Sequence, residues 1–434
     1  MSTGAPEPPA LPDELLAQGA YRKIFWRLLP FLMACYTASY LDRVNIGFAK
    51  LQMLPQIGLS DTVYGIGAGV FFLGYFLFEV PSNLILQRVG ARRWIARIMI
   101  TWGVISGLFV FTQGPRSFLL LRFLLGVAEA GFYPGIVFYL TGWFPAHRRA
   151  TILALFASAI PLAGIIGNPI SGWILAHMSG RLLAGWEWLF LLEAIPAVLL
   201  GIGTLFLLAD HPAGAAWLTG EEAALVQFEL ALDKSSIGAS HSLSAVLRDL
   251  RTWQLIAIYF GIVMGQYGLT FWMPTLIRAA GAHGSVHIGL LSAIPFLVAI
   301  LVMNGCARSA DRLRERRWHI ILPACAGAAG FLIAACSHHL IGGIFGLSLA
   351  SAGVLTCTPL FWSLPTAYLS GRAAAGGIAS INSIGNLAGF ASPFVVGYLR
   401  DTTGSSKIAL VVLAAILLLV AMLVQRVPAA LVNR

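Results

Sequence analysis

The sequence predicts an all-α integral membrane protein with twelve transmembrane helices in two pseudo-symmetric six-helix bundles. Three observations predict it. Of 434 residues, 58% are hydrophobic and 11% charged, and mean hydropathy is +0.82. A soluble surface carries roughly 25% charged residues because water must solvate it. Apolar segments of about 20 residues, enough to cross a bilayer, recur along the chain at twelve places. The two halves also repeat each other at an offset of 224 residues. The composition alone excludes a soluble enzyme and a nucleic-acid binder.

The segments run over about 24–48, 63–86, 94–113, 118–142, 150–176, 187–209, 253–277, 287–307, 319–337, 341–366, 374–399 and 407–427. Their Gly and Pro content suits spanning helices, where neighbours satisfy freed backbone groups. No ten-residue alternation of a membrane barrel appears. With the N-terminus inside, twenty Lys and Arg fall in loops on the inner side and six on the outer, while Arg43 and Arg122 lie within spans. That asymmetry puts both termini in the cytoplasm. It also explains the net charge of +10 without nucleic acid.

Residues 1–20, with Pro6, Pro8, Pro9 and Pro12, lack the basic-then-apolar order of a cleaved signal and read as a disordered cytoplasmic tail. Residues 21–209 form the first bundle and 252–428 the second, with a short tail at 429–434. Between the bundles, 210–251 holds six of the 18 acidic residues and reads as a cytoplasmic linker. Thr219 followed by Glu222 resembles a capping box, so an interfacial helix is expected there. Cys35, Cys306, Cys325, Cys336 and Cys357 show no CxxC spacing. They read as small apolar residues, with no metal site or disulfide.

The repeat is carried by several residue groups. Arg88-x-x-x-Arg92-Arg93-Trp94 recurs as Arg312-x-x-x-Arg316-Arg317-Trp318, and Arg148 maps onto Arg372. Gly172-Trp173 and Gly397-Tyr398 are 225 apart. Parallel repeats of six spans belong to one class of secondary transporter, with substrate held near the midplane between the halves.

Asp311 and the residues after it, through Arg312, Arg316 and Arg317, resemble the D-R-x-x-x-R-R loop of the major facilitator superfamily; in the first half, Gln87 stands where the acid is usual. Further motifs are more specific. They are Tyr40-Leu41-Asp42-Arg43-Val44-Asn45, Phe78-Glu79-Val80-Pro81-Ser82-Asn83, the run from Gly126 through Glu129 to Pro134, and Trp143-Phe144-Pro145. Phe361-Trp362-Ser363-Leu364-Pro365-Thr366 and Ile381-Asn382-Ser383-Ile384-Gly385-Asn386 join them in the second half. Together they resemble the anion:cation symporter branch, whose bacterial members carry tartrate, phthalate, hydroxyphenylacetate, glucarate and galactonate. The resemblance covers about residues 20–427. It implies that Arg43 meets a substrate carboxylate, that Asp42 and Glu129 take up protons, and that Tyr40 and Tyr75 line the cavity.

The charges support that expectation independently. A charged side chain at the bilayer centre costs roughly 2.5–3.5 kcal/mol on insertion scales. Asp42, Arg43, Glu79, Arg122, Glu129 and Glu193 are the six within spans, all in the first half. A guanidinium matches a carboxylate with two parallel hydrogen bonds, so Arg43 suits an anion. A structural ion pair with Asp42 or Glu129 is the alternative. Neighbouring helical residues point about 100° apart, so Asp42 and Arg43 face different ways. Arg122 and Glu129, seven apart, share a face, Arg122 towards the outside and Glu129 near the middle, so Arg122 is expected to line the substrate cavity with Arg43. Glu79 reads as a third acid or a gating latch, and Glu193, near Pro196, as structural.

In the second half, the repeat places Gln266 and Tyr267 where the first half has Asp42 and Arg43. Trp362, Ser363, Asn382 and Asn386 complete the expected cavity. Arg88, Arg92, Arg93, Asp311, Arg312, Arg316 and Arg317 are expected in gating loops on the cytoplasmic side. The reading is a monomeric inner-membrane symporter, not an enzyme and without cofactor. It imports a small organic anion, such as the hydroxy-dicarboxylate tartrate, with protons by alternating access. Alternatives are Na⁺ coupling or a multidrug antiporter of the same fold, to which Gly164, Gly167, Asn168, Pro169 and Gly172 bear a loose likeness.

Overall fold

A computed structural model of the chain describes residues 14–180, 182–235, 249–368 and 373–429. The first half comprises α1 (Glu14–Val44), α2 (Ile46–Ile57), α3 (Asp61–Val89), α4 (Ala91–Gly107), α5 (Pro115–Glu129), α6 (Phe132–Thr141), α7 (Ala146–Ala157), α8 (Ala159–His177) and α9 (Gly185–Leu207). The linker helix α10 (Gly220–Ser235) follows. The second half comprises α11 (Leu250–Ala279), α12 (Ser285–Leu313), α13 (Trp318–Cys336), α14 (Leu340–Phe361), α15 (Ser363–Tyr368), α16 (Ala373–Asn386), α17 (Ala388–Thr403) and α18 (Lys407–Gln425). Among the described residues there is no strand.

Among the described residues, eleven helical runs are long and apolar enough to cross a membrane. The remaining expected span, 374–399, is filled by α16 and α17, which are too short to count singly at 14 and 16 residues. All twelve expected spans are thus helical. Residues 1–13, 236–248 and 430–434, with Arg372, lie outside the described residues.

One boundary is corrected. α1 begins at Glu14, inside the stretch read as a tail, because Ala17, Ala20 and Tyr21 bury one face of that turn. Tyr21 donates to Glu229 (2.8 Å) and Lys23 pairs with Glu222 (2.7 Å), clasping α10 to α1. The capping box forms as expected: Thr219 N donates to Glu222 Oε2 at 2.9 Å, and Glu222 N to Thr219 Oγ1 at 3.2 Å. The Lys23 ammonium, and then the Thr219 N–H, hold the Glu222 carboxyl below the usual carboxylate range.

Several spans are broken mid-membrane. α1 gives way to α2 at Asn45, α5 to α6 at Ala130-Gly131, α14 to α15 at Trp362, and α16 to α17 at Leu387. At Gly131 the backbone turns left-handed (φ 84°), a conformation that favours glycine. Broken spans free backbone groups, and transporters of this repeat class place binding residues beside them. Arg43, Glu129, Trp362 and Asn386 each stand within two residues of a break.

The halves meet along two seams, α3 against α17 and α8 against α12. The seams obey the repeat. A Cβ on Gly172 would run into the Ser285 carbonyl, and one on Gly397 into the Asp61 carbonyl. Ser285 stands 224 positions after Asp61, so one close approach has been used twice.

The face on which α3 begins and α17 ends, here the far face, is closed by direct contact between halves. Tyr64 donates to the Phe271 carbonyl at 2.9 Å, and the N–H groups of Asp61 and Thr62 donate to Asp401 at 3.1 and 2.7 Å. Asp61 pairs with Lys50 (2.7 Å) and with Arg400 (3.2 Å). Lys50, expected in a loop, is instead 5% exposed, its ammonium 3.2 Å from the Trp272 ring centre. On the opposite, near face, the ion pairs Lys23–Glu222 and Arg316–Asp311 and the His319–Glu315 contact join neither half to the other.

Candidate functional site

Arg43, in the last turn of α1, is 8% exposed and lies at the centre of the membrane-embedded interior. Its Nη2 pairs with Glu129 Oε1, and its Nη1 donates to Tyr267 Oη at 3.3 Å. Ser39, one turn earlier on the same face, donates to Glu129 Oε1 at 2.6 Å. The rings of Phe71, Tyr75 and Phe72 surround the guanidinium at 5.0, 5.8 and 5.9 Å, where their faces favour a cation. Arg43 and Tyr267 are 224 positions apart, so two equivalent positions of the repeat touch across the interface. The second half also reaches in through Gln266, whose Nε2 donates to Tyr40 Oη at 3.4 Å while its Oε1 accepts from Thr358 at 3.3 Å.

Asp42 turns the other way, as the helical rotation requires. It is 2% exposed and accepts from Trp102 Nε1 at 2.8 Å, Ser106 Oγ at 2.6 Å and Asn45 Nδ2 at 3.3 Å. It therefore sits inside the first bundle, behind Arg43 from the interface.

Arg122 departs from expectation. Fully buried, it donates through Nε to the Gly67 carbonyl (3.1 Å) and through Nη2 to that of Ala68 (3.4 Å), and it lies over Phe71. The close packing of α5 on α3 turns the side chain onto the α3 backbone, while Nη1 is left without a hydrogen-bond partner. Glu79 is 8% exposed, within electrostatic range of Tyr75 and of Tyr259 in the second half. Trp362 packs tilted against Tyr259, ring centres 4.9 Å apart, and Ser363 donates to the Leu360 carbonyl at 2.6 Å. Asn386 donates to Asn382 Oδ1 at 3.2 Å, and both are partly exposed, as is Trp362.

The loop residues lie apart from this cluster. Arg92 N donates to Asp210 Oδ1 (2.9 Å), Arg316 pairs with Asp311 (2.6 Å) and Arg317 donates to the Gln425 carbonyl (2.9 Å). None of these contacts joins one half to the other. Of the residues expected in gating loops, Arg88 lies in the last turn of α3, Arg92 and Arg93 in the first turn of α4, and Asp311 and Arg312 in the last turn of α12; only Arg316 and Arg317 lie between helices, because the connections are shorter than the motif.

Several residues of the cluster carry weaker sequence signals. Ser39 is four before Arg43, which puts it on the same face. Trp102 and Ser106, also four apart, are hydrogen-bonding groups in an otherwise apolar span. Phe71 and Phe72 resemble any core aromatics. Asp61, Arg400 and Asp401 stand at span ends, where charges are ordinary.

The family model described as Major Facilitator Superfamily matches residues 32–393. The chain belongs to that superfamily. It is 50% identical over 417 residues to NicT of Pseudomonas putida, named as a candidate metabolite transport protein, covering 95% of each chain. It is also 50% identical over 404 residues to a protein of Agrobacterium vitis named as a candidate tartrate transporter, covering 93% of this chain and 90% of that one. A quinolone resistance transporter of Acinetobacter baumannii is 39% identical over 399 residues, covering 92% of each. The protein is thus a multi-pass membrane transporter and not an enzyme.

Proposed function

We propose that the transporter imports a small organic anion, a hydroxy-dicarboxylate such as tartrate or a related sugar acid or aromatic carboxylate, by proton symport across the inner membrane. The observation that carries this reading is Arg43, a buried guanidinium paired with the buried carboxylate of Glu129. When Glu129 is protonated the ion pair is lost, and a buried unpaired guanidinium is costly. A substrate carboxylate then satisfies Nη2 and Nη1 together, in the bidentate geometry that guanidinium favours. When the proton leaves, Glu129 recaptures Arg43 and displaces the anion. Tyr267 and Gln266 answer from the other half, so a bound anion draws the two halves together. Asn382, Asn386 and Trp362 offer hydrogen-bonding and aromatic surface for the rest of the substrate.

With both termini cytoplasmic, as the Lys and Arg distribution favours, the sealed far face is periplasmic and the conformation is inward-facing. Alternating access then opens the α3–α17 and α8–α12 seams on that face. A single chain holds both halves of the path, so a monomer suffices. The quinolone resistance relative favours drug export as a second reading. The buried guanidinium weighs against cationic drugs.

In proteoliposomes, Glu129→Gln and Asp42→Asn should abolish ¹⁴C-tartrate accumulation driven by an inward proton gradient, with counterflow exchange surviving in at least one. Full gradient-driven accumulation in both variants would place coupling elsewhere. Accumulation that follows a sodium gradient instead would replace the proton with Na⁺. Uptake of neutral sugars or organic cations by the wild type at rates matching carboxylates would remove the anion assignment.

A further inference from the structure

We propose that Glu193 is a further proton-holding acid of the transporter beside Glu129 and Asp42, and that it forms with Asp42 a two-carboxyl unit carrying one proton between them. This rests on the proton-coupled reading above and adds a site to it. Glu193 lies on α9, 5% exposed, and faces the bundle interior. Ser171 of α8 donates to its Oε1 at 2.7 Å. Its Oε2 is buried with no hydrogen-bond partner. Asn45, at the break between α1 and α2, lies near both acids, and its Nδ2 donates to Asp42 at 3.3 Å.

The groups facing Glu193 from each packed element define its charge state. α1 presents Asp42, an acid. The Trp102 and Ser106 donors of α4 are committed to Asp42. α8 presents the neutral Ser171, and the nearest cation on α2, Lys50, pairs with Asp61 at the far face. An ionised Glu193 would therefore lie beside a second acid with no counter-ion, one oxygen lacking any donor. Burying a charge in that way is expensive. Asp42 has three hydrogen-bond partners, Trp102, Ser106 and Asn45, against one for Glu193, and hydrogen bonds donated to a carboxyl favour its ionised form. Neighbouring acids lose their protons in separate steps. One proton thus stays on the pair, resident on Glu193 in this conformation. A movement of α1 that draws Asp42 off Trp102 and Ser106 breaks the Glu193 O–H bond and forms an Asp42 O–H bond, leaving the charge of the pair unchanged.

A cavity of about 160 Å³ between α1, α8 and α9, lined by Ala38, Leu41, Ile170, Ile174, Leu192 and Pro196, ends on Glu193. It offers a route for an apolar reagent. Dicyclohexylcarbodiimide adds the O–H of a neutral carboxyl across its N=C bond and rearranges to a stable N-acylurea, which peptide mass mapping locates. On the purified full-length protein, Glu193 labelling at pH 5 sets the full signal. Labelling at pH 7 within about twofold of that signal is expected, and a drop beyond tenfold by pH 7 overturns the proposal. Asp42→Asn removes the neighbouring negative charge, so the loss of Glu193 labelling should move to lower pH. An unmoved profile overturns the shared proton.

Transport supplies the second arm. Glu193→Gln imitates the neutral acid and keeps both hydrogen-bonded neighbours, so a purely structural Glu193 predicts wild-type tartrate accumulation. Loss of at least about tenfold in gradient-driven accumulation, with counterflow retained, is expected, and unchanged accumulation overturns the proposal. If the wild type accumulates no tartrate under a proton gradient, the reading of function fails. The labelling profile then decides on Glu193 by itself.

Discussion

The two halves share a fold and a seam geometry but divide the chemistry unequally. In the first half, Asp42, Arg43, Glu79, Arg122, Glu129 and Glu193 lie within the spans, each at most 8% exposed. The spans of the second half answer with Gln266, Tyr267, Thr358, Asn382 and Asn386, all neutral. Where the repeat brings equivalent positions face to face, a guanidinium meets a phenol: Arg43 and Tyr267. The difference teaches that the repeat conserves where the backbone approaches, as at Gly172 and Gly397, while leaving the side chains free to diverge. Ionisable groups in a membrane are costly singly and less so when paired. Confining them to one bundle lets acids and guanidinium neutralise each other, with the other bundle as an uncharged wall.

The largest test of this asymmetry is Arg43→Lys. Lysine keeps the charge but loses the planar fork that holds Glu129 and Tyr267 together. Charge-assisted hydrogen bonds are worth about 1.5–3 kcal/mol each, so initial rates of tartrate uptake should fall by roughly ten- to hundredfold. Near-normal uptake would mean that position 43 supplies only a point charge, and the contrast between halves would lose its centre.

A middle-sized effect is expected at the far face, where the asymmetry is bridged. Asp61 joins Lys50 of its own half to Arg400 of the other. Asp61→Asn leaves Lys50 buried against Trp272 without its counter-ion, which destabilises the closed face. Each 1.4 kcal/mol removed from that state is about tenfold in the equilibrium. A cysteine placed at Thr275, now 8% exposed, should be alkylated roughly tenfold faster by a membrane-impermeant maleimide in the Asp61→Asn background. An unchanged rate would show that the seams alone hold the face shut.

The spans, the repeat and the inventory of buried charges were legible in the sequence because each depends on composition or spacing. The orientation of Asp42 away from Arg43 was legible too, from helical rotation alone. Arg122 misled because its seven-residue spacing from Glu129 says nothing of the α3 carbonyls that capture it. Lys50 misled because a basic residue at a span end reads as solvated, whereas Trp272, 222 residues further along, covers it. The breaks that set Arg43, Glu129 and Asn386 beside freed backbone have no single marker. Only Gly131 among them carries a left-handed turn. Contacts between halves are set by tertiary geometry, and periodicity within one helix does not encode them.

The smallest effect should come from the neutral side of the pair. Tyr267→Phe removes one hydroxyl, whose bond to Arg43 is 3.3 Å long. It keeps the ring, packed 4.4 Å from Phe72 and 5.6 Å from Phe271. A net hydrogen bond of this kind contributes about 0.5–1.5 kcal/mol, so apparent tartrate affinity should weaken by roughly two- to tenfold. Proton coupling should stay intact, because Glu129 still governs Arg43 from the first half. The readout is KM for uptake beside the ratio of protons to tartrate. A loss as large as that of Arg43→Lys, or a changed proton ratio, would make the phenol a full partner in coupling and end the division of labour between the halves.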